Sequence, residues 1–282
     1  MNKIRGESME TKRSAKILTH IGLILMAGFI ALPFIWMILT SIKTLAEAEA
    51  IPPKIFPESV RIENYTQIFK EFPFAQYYFN TIIVTIASVV LQLIIVTPAA
   101  YAFARLDFKF KEAIFLILMA AMMVPGQMYL IPQYQIIQDM GLLNTLTAIV
   151  LPGIFSIYYT FLLRQHFKSI PRDMEEAAII DGASQFTIFF KLMVPIVRPA
   201  LGTVAILGGL GAWNSFLWPL IVNSTPEKLT LAAGLRVFVG QYGTHYPRMM
   251  AGAVLSIIPM VVVFSLFQKK FISSIAVSAG KE

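Results

Sequence analysis

The sequence contains no cysteine and few charged residues. None of its 282 residues is Cys, and only 14% are Asp, Glu, Lys or Arg. The absence of cysteine excludes a disulfide framework, a thiolate metal site and a cysteine nucleophile. A soluble domain carries about 25% charged residues, whereas this chain is 57% hydrophobic with a mean hydropathy of +0.69. These proportions indicate a membrane protein.

The chain also lacks the groups that membrane-bound enzymes and ion-coupled carriers use. It has no Gly-x4-Gly-Lys-Ser/Thr motif, so it binds no nucleotide through a P-loop. Its three histidines, His20, His166 and His245, are scattered and predict neither a metal site nor a catalytic pair. The centres of the apolar segments contain no Asp, Glu, Lys or Arg, which argues against a proton or sodium relay. We therefore expect a protein that is not an enzyme.

Six apolar segments have the length that a bilayer requires, which is about 20 residues for a helix. The sequence predicts an all-α, polytopic membrane protein with about six transmembrane helices. We expect a tail at residues 1–16, a transmembrane domain at 17–268 and a second tail at 269–282. The predicted spans are 17–41, 79–104, 112–132, 144–163, 197–222 and 249–268.

The basic residues predict the orientation of the chain. Sixteen Lys and Arg residues fall on the side that holds both tails and the loops after spans two and four, and seven fall on the other side. Lys and Arg are enriched in cytoplasmic loops. We therefore predict that both termini and the loop around 171–195 lie in the cytoplasm.

A long polar stretch, 171–195, lies between the predicted spans four and five. Asp173 with Glu176 three residues later is typical of an N-cap and its capping-box partner. Gly182 should end this first helix. A second helix, from about Ser184 to Met193, should then end at Pro195. The sequence thus predicts a cytoplasmic helix–Gly–helix elbow between spans four and five.

These residues carry a resemblance. Glu176-Ala177-Ala178, then Gly182, then Leu192-Met193-Val194-Pro195 are similar to the motif Glu-Ala-Ala-x3-Gly-x9-Ile-x-Leu-Pro, with Leu192 and Val194 as replacements. This EAA motif belongs to the permease subunits of binding-protein-dependent ABC importers. The flanking residues Asp181-Gly182-Ala183, and Pro195 with Pro199, resemble those of the carbohydrate branch of this family, the maltose-permease-like proteins.

The resemblance implies the partners and the coupling residues. It implies a second homologous permease, two cytoplasmic ABC ATPase subunits, an extracytoplasmic sugar-binding protein and the lipid of a prokaryotic inner membrane, but no nucleic acid. It implies no cofactor on this chain, with ATP and Mg²⁺ bound by the partner ATPase. The implied ATPase-coupling residues are Glu175, Glu176, Ala177, Ala178, Asp181, Gly182, Ala183 and Pro195.

Neutral polar and aromatic side chains at membrane depth are the candidates for a sugar path, because sugars bind such groups. The candidates are Asn80, Gln92, Gln127, Trp213, Asn214 and Trp218. Hydrogen bonds between helices and anchoring at the membrane interface are the alternative roles. By the same resemblance, Tyr242, His245 and Tyr246 are candidates for contact with the binding protein.

The expected function is that of a permease subunit of an ATP-driven importer, which translocates a sugar or oligosaccharide. One alternative is the same machine with another solute, such as a polyol or glycerol phosphate. The other is a secondary carrier.

Overall fold

A computed structural model describes residues 2–240 and 243–279. Within these residues the chain is mostly helical, with one short hairpin of strands β1 (Val239–Gly240) and β2 (Gly243–Thr244). The helices are α1 Asn2–Ser41, α2 Leu45–Ala48, α3 Glu63–Glu71, α4 Phe74–Arg105, α5 Lys111–Ala121, α6 Leu130–Asp139, α7 Leu146–Val150, α8 Ile157–Lys168, α9 Asp173–Ile180, α10 Gln185–Thr187, α11 Val194–Ile196, α12 Arg198–Trp213, α13 Leu217–Val222, α14 Leu231–Gly234 and α15 Tyr246–Ala279. Short 3₁₀ segments cover Gly126–Tyr129, Leu151–Gly153, Pro226–Lys228 and Leu235–Phe238, and a π-helical segment covers Ile188–Met193.

Three helical stretches are long and apolar enough to cross a membrane without a break: Lys16–Ser41, Phe74–Arg105 and Tyr246–Leu266. Three more form bent pairs: Lys111–Ala121 with Gly126–Asp139 at 95°, Leu146–Gly153 with Ile157–Lys168 at 45°, and Gln185–Ile196 with Arg198–Trp213 at 73°. The predicted all-α polytopic fold is confirmed, with six spans when each bent pair counts as one.

The bends fall at residues that interrupt helical hydrogen bonding. Pro125 precedes the 3₁₀ turn at Gly126–Tyr129, and Pro152 lies at the break before α8. Ser156 caps α8 by accepting a hydrogen bond from the Tyr159 N–H. The apolar stretch 197–222 likewise contains two helices, because α12 ends at Trp213 and α13 begins at Leu217.

The chain divides into two compact units. One comprises Phe72–Arg236 and Ile258–Glu282, and in it α4 packs against both α8 and α12. The core between these helices takes residues from each of them and includes residues of the elbow itself, within 185–196. Its buried members are Val96, Ala100, Tyr101, Ala104, Leu163, Phe167, Ile170, Ile188, Phe189, Met193, Val197, Ala200 and Val204. The elbow is therefore built on the core of this unit.

The other unit comprises Met1–Glu71 and Val237–Ile257. A hydrogen-bonded loop follows α1 in this unit. The Glu47 carboxylate accepts from the N–H and hydroxyl of Thr44, at 2.7 and 2.8 Å, and from the Glu58 N–H at 2.7 Å. The buried Asn64 amide donates to the Ser41 and Lys43 carbonyls, both at 2.9 Å. These bonds fix a loop that contains Pro52, Pro53 and Pro57.

Candidate coupling surface

The first arm of the elbow is α9, and it begins differently from the prediction. The structure places Arg172 at the N-cap, with a helical backbone (φ −67°, ψ −29°) and no side-chain cap. The predicted Asp173 N-cap and capping box are therefore wrong. Asp173 is already the first helical residue, and the Arg172 carbonyl accepts from the N–H groups of Glu175 and Glu176. The acidic first turn still complements the positive end of the helix dipole.

Gly182 forms the turn between the two arms. Its φ is +80°, a left-handed conformation that glycine adopts without steric cost. The Gly182 N–H donates to Ile179 O and the Ala183 N–H donates to Ala178 O, each at 2.9 Å. This pair of bonds is a Schellman motif, which satisfies the last carbonyls of a helix. Ala178 and Ala183, on either side of the turn, both pack against the core, and these contacts fix the position of the turn.

The second arm runs as a continuous helical stretch through Gln185–Ile196. The Ser184 hydroxyl caps it by accepting from the Thr187 N–H at 3.2 Å. The predicted end at Pro195 is one residue early, because the arm continues to Ile196 and breaks at Val197. Pro195 lacks an N–H for a regular helical bond, and the six residues Ile188–Met193 before this last turn are wound as a π-helix. Pro195 itself is half-buried.

The two arms expose small, acidic and apolar side chains, which we together call the elbow surface. Ile180 is 85% exposed and Phe186 is 78% exposed, both far more than a side chain of a packed core. Glu176, Ala177, Asp181 and Gly182 are exposed beside them. The elbow surface consists of Met174, Glu176, Ala177, Ile179, Ile180, Asp181, Gly182, Phe186 and Phe190. Exposed apolar groups with a charged rim are typical of a protein-binding site.

The opposite side of the first arm carries a buried ion pair. The Glu175 side chain is 14% exposed, and its Oε2 lies 3.6 Å from Nη1 of Arg105, which is 4% exposed. The Arg105 guanidinium also donates to the carbonyls of Phe167 (2.6 Å) and Ile170. Glu175 therefore faces the protein, away from the elbow surface, and its implied part in ATPase coupling stays a prediction. The sequence analysis counts Arg105 only among the basic residues of the loops. Its position at the end of an apolar span is the signal that could have indicated a buried partner.

Two predicted path residues make structural hydrogen bonds. The Asn80 amide is buried and donates to the carbonyls of Glu227 and Leu229, both at 2.8 Å. The Gln92 amide donates to the carbonyl of Gly153, the last residue before the bend that precedes α8, at 3.0 Å. Both side chains hold backbone of other segments, and their role in a sugar path stays a prediction.

The other predicted path residues lie in different environments. The Trp218 indole donates to the Ala148 carbonyl at 3.0 Å, and Trp213 is buried against Tyr78 with ring centroids 6.3 Å apart. Asn214 is exposed at the end of α12, where its amide donates to Leu210 O at 2.9 Å. Gln127 is exposed in a 3₁₀ turn. Asn214 and Gln127 thus leave more of their polar groups available to a ligand than Asn80 does.

The predicted binding-protein contacts lie near the hairpin. Tyr246, 42% exposed, is the first residue of α15. His245 is half-buried, and its Nδ1 accepts from the Arg248 N–H at 3.4 Å. Burial and the neighbouring Arg248 charge lower the pKa of His245. Tyr242 lies outside the described residues. No group of three or more metal-ligating side chains occurs among the residues that the structure describes.

Comparison with solved structures defines the class of protein. The chain resembles one in the crystal structure of a bacterial ABC transporter involved in the import of the acidic polysaccharide alginate, with a TM-score of 0.77 and 26% identity over 91% of this chain and 97% of that one. A chain of the MetNI methionine ABC transporter shares the fold alone, with a TM-score of 0.53 and 15% identity. The fold is that of an ABC importer permease.

Sequence comparison then identifies the family. Residues 95–277 match the binding-protein-dependent transport system inner membrane component, and the chain belongs to this family. It is 34% identical to the arabinooligosaccharides transport system permease protein AraQ of Halalkalibacterium halodurans, over 94% of this chain and 96% of that protein. It is 35% identical to the sulfoquinovosyl glycerol transport system permease protein SmoH of Agrobacterium fabrum, over 88% of each chain. The resemblance seen in the elbow motif is confirmed.

Proposed function

We propose that the elbow surface is the docking site for a cytoplasmic ABC ATPase, and that this chain is one permease of an ATP-driven importer of a sugar or oligosaccharide. The observation that carries the proposal is the contrast between the two sides of the elbow. Ala178, Ala183 and Glu175 fix it to the transmembrane core, while Ile180, Phe186 and Glu176 extend outward. A rigid base under an exposed apolar face suits a surface that must both bind a partner and move with it.

The orientation follows from the basic residues. The excess of Lys and Arg on the side of the elbow assigns that side, and both termini, to the cytoplasm. ATP and Mg²⁺ would then be bound by the partner, which needs access only to the elbow surface. A second homologous permease and an extracytoplasmic binding protein complete the proposed importer.

The cargo is proposed from the relatives. The arabinooligosaccharide, sulfoquinovosyl glycerol and diacetylchitobiose permeases among them each carry the name of a glycoside or sugar oligomer. Exposed neutral amides, such as those of Asn214 and Gln127, are suited to a ligand that has hydroxyl groups. We propose a carbohydrate or glycoside on this basis.

Co-purification tests the docking site. The tagged chain is expressed with its candidate ATPase, extracted in mild detergent and captured, and the recovered ATPase is quantified. Glu176→Lys should abolish recovery of the ATPase, since it reverses an exposed charge in the first turn of α9. Glu63→Lys is the matched control, because Glu63 is also exposed in the first turn of a helix but lies in α3. Equal recovery with both variants would refute the docking site.

A further inference from the structure

The C-terminal end of α4 contacts both arms of the elbow. Arg105, the last residue of α4, lies against Glu175 in the first arm. One turn earlier, the Tyr101 hydroxyl donates to Oε1 of Gln185 in the second arm, at 3.3 Å. The two contacts lie on either side of the Gly182 turn. We call the set of Tyr101, Arg105, Glu175 and Gln185 the α4 clasp.

The Arg105 guanidinium also ties the clasp to α8. Its bonds to Phe167 O and Ile170 O engage carbonyls at the end of that helix and just beyond it. Free carbonyls at a helix C-terminus carry partial negative charge, and a cation there is stabilised. One planar guanidinium thus joins α4, α8 and α9, which a lysine ammonium could not do with the same geometry.

The ion pair in the clasp is not saturated. At 3.6 Å the Arg105–Glu175 contact is longer than a hydrogen bond, and both Nε of Arg105 and Oε1 of Glu175 are buried without a hydrogen-bond partner. Buried polar atoms without partners are unfavourable. The Arg105–Glu175 contact therefore leaves part of each group unsatisfied, whereas the two carbonyl bonds of Arg105 are fully formed.

We infer that Arg105 is a positioning residue that transmits movement of the elbow to α4 and α8. Its contact with Glu175 connects it to the first arm. This inference rests on the proposed function, because it requires a partner that moves the elbow. Residues along such a contact path change coupling between sites without touching either ligand. Glu176 then binds the partner, and Glu175 passes the displacement inward.

A neighbouring pair provides a matched control. Arg164 of α8 is also buried, and its Nη2 contacts both carboxylate oxygens of Glu112, at 2.9 and 2.8 Å. Its Nε donates to the Phe103 carbonyl at 3.1 Å. This pair links α5 to α8 and makes none of the contacts of the clasp. Glu112→Gln therefore removes the ion pair of another buried arginine, one whose carboxylate is more exposed than that of Glu175, without a direct effect on the elbow.

The test uses the complete importer, reconstituted with its binding protein and a substrate of that protein. For each variant, the amount of co-purified ATPase, ATP hydrolysis and substrate uptake are measured per assembled complex. Glu175→Gln should retain the ATPase but lower uptake per ATP hydrolysed by roughly five- to tenfold. Glu112→Gln should leave that ratio unchanged.

Two further variants keep the test decisive. Tyr101→Phe, which removes only the hydroxyl, should lower the same ratio and reports on the clasp if Glu175→Gln fails to assemble. Arg105→Lys combined with Glu175→Gln should be no worse than Arg105→Lys alone, because the second substitution removes a contact that the first has already weakened. An unchanged ratio of uptake to ATP hydrolysis in Glu175→Gln, or an equal fall of this ratio in Glu112→Gln, would overturn the role of the clasp. The proposed function would be unaffected by that result. A wild-type chain that retains no ATPase would overturn the proposed function, and the clasp with it.

Discussion

Glu175 and Glu176 are adjacent in the chain and have opposite environments. Glu175 is nearly buried and pairs with Arg105, whereas Glu176 is exposed on the elbow surface. Consecutive residues of a helix point about 100° apart, so one acidic pair can serve two partners. The Glu175 side chain lies toward the permease interior, and the exposure of Glu176 supports its proposed contact with the ATPase.

The conformation of Gly182 predicts which substitutions the elbow tolerates. Its φ of +80° disfavours any residue with a Cβ by about 1–2 kcal/mol, least for Asn and most for β-branched residues. An added Cβ would meet nothing within 4 Å, so the effect comes from the backbone and not from a clash. We expect Gly182→Asn to retain most uptake and Gly182→Val to lose it. Equal uptake rates in the two variants would exclude a conformational role.

Asn80 should stabilise the protein rather than select its cargo. Asn80→Ala leaves the Glu227 and Leu229 carbonyls without their donor, at a cost of about 1–3 kcal/mol. Thermal unfolding of the purified chain should show the loss, while the KM for uptake stays unchanged. The control is Asn214→Ala, since Asn214 is exposed and its amide bonds only within its own helix. A raised KM with unchanged stability in Asn80→Ala would instead favour the sugar path.

Gly234 provides a test of packing against α4. A Cβ at this position would overlap the ring of Tyr77, which is buried and cannot move aside freely. Gly234→Ala should therefore destabilise the chain by about 1–3 kcal/mol. Gly202→Ala in α12 is the matched control, because nothing lies within 4 Å of the added carbon and alanine favours a helix. Thermal unfolding should rank Gly202→Ala at or above the native chain.

The loop after α1 should lose stability in acid between pH 4.5 and about 2. Hydrogen bonds from the Thr44 backbone and hydroxyl, then from the Glu58 N–H, lower the pKa of Glu47 from 4.5 to about 2. Because the folded pKa is depressed, the stabilisation is complete above pH 4.5 and is lost as the pH falls toward 2. Hydrogen exchange of the Glu58 and Ser59 amides, corrected for intrinsic rates, should show this window. Glu47→Gln should weaken the protection of these two amides at neutral pH and abolish its dependence on pH between 4.5 and 2. Unchanged protection in this variant would contradict the role of the Glu47 carboxylate.

The elbow could be predicted from the sequence because its signals are local. Gly182, with apolar residues before it and Ser184 after it, predicts a helix end and a new helix start within a few residues. The start of α9 was predicted wrongly, because the choice between Arg172 and Asp173 depends on the backbone angles of Arg172. The side chain types at these two positions do not fix those angles.

The orientation of Glu175 and the bonds of Asn80 could not be predicted, because their partners are distant in the sequence. Arg105 lies at the end of another span, and the carbonyls that Asn80 binds lie in the segment before α14. A polar residue in an apolar span indicates a hydrogen bond, but no local pattern identifies its partner.

Cysteine labelling tests the elbow surface most directly. The chain has no native cysteine, so Ala177→Cys supplies the only thiol, on an exposed position of the first arm. A maleimide should label it in the isolated permease, and the bound ATPase should protect it. Phe56→Cys, at a position 72% exposed in the loop after α1, should be labelled equally in both states. Labelling of Ala177→Cys at the same rate in the intact complex would contradict the proposed docking of the ATPase on the elbow.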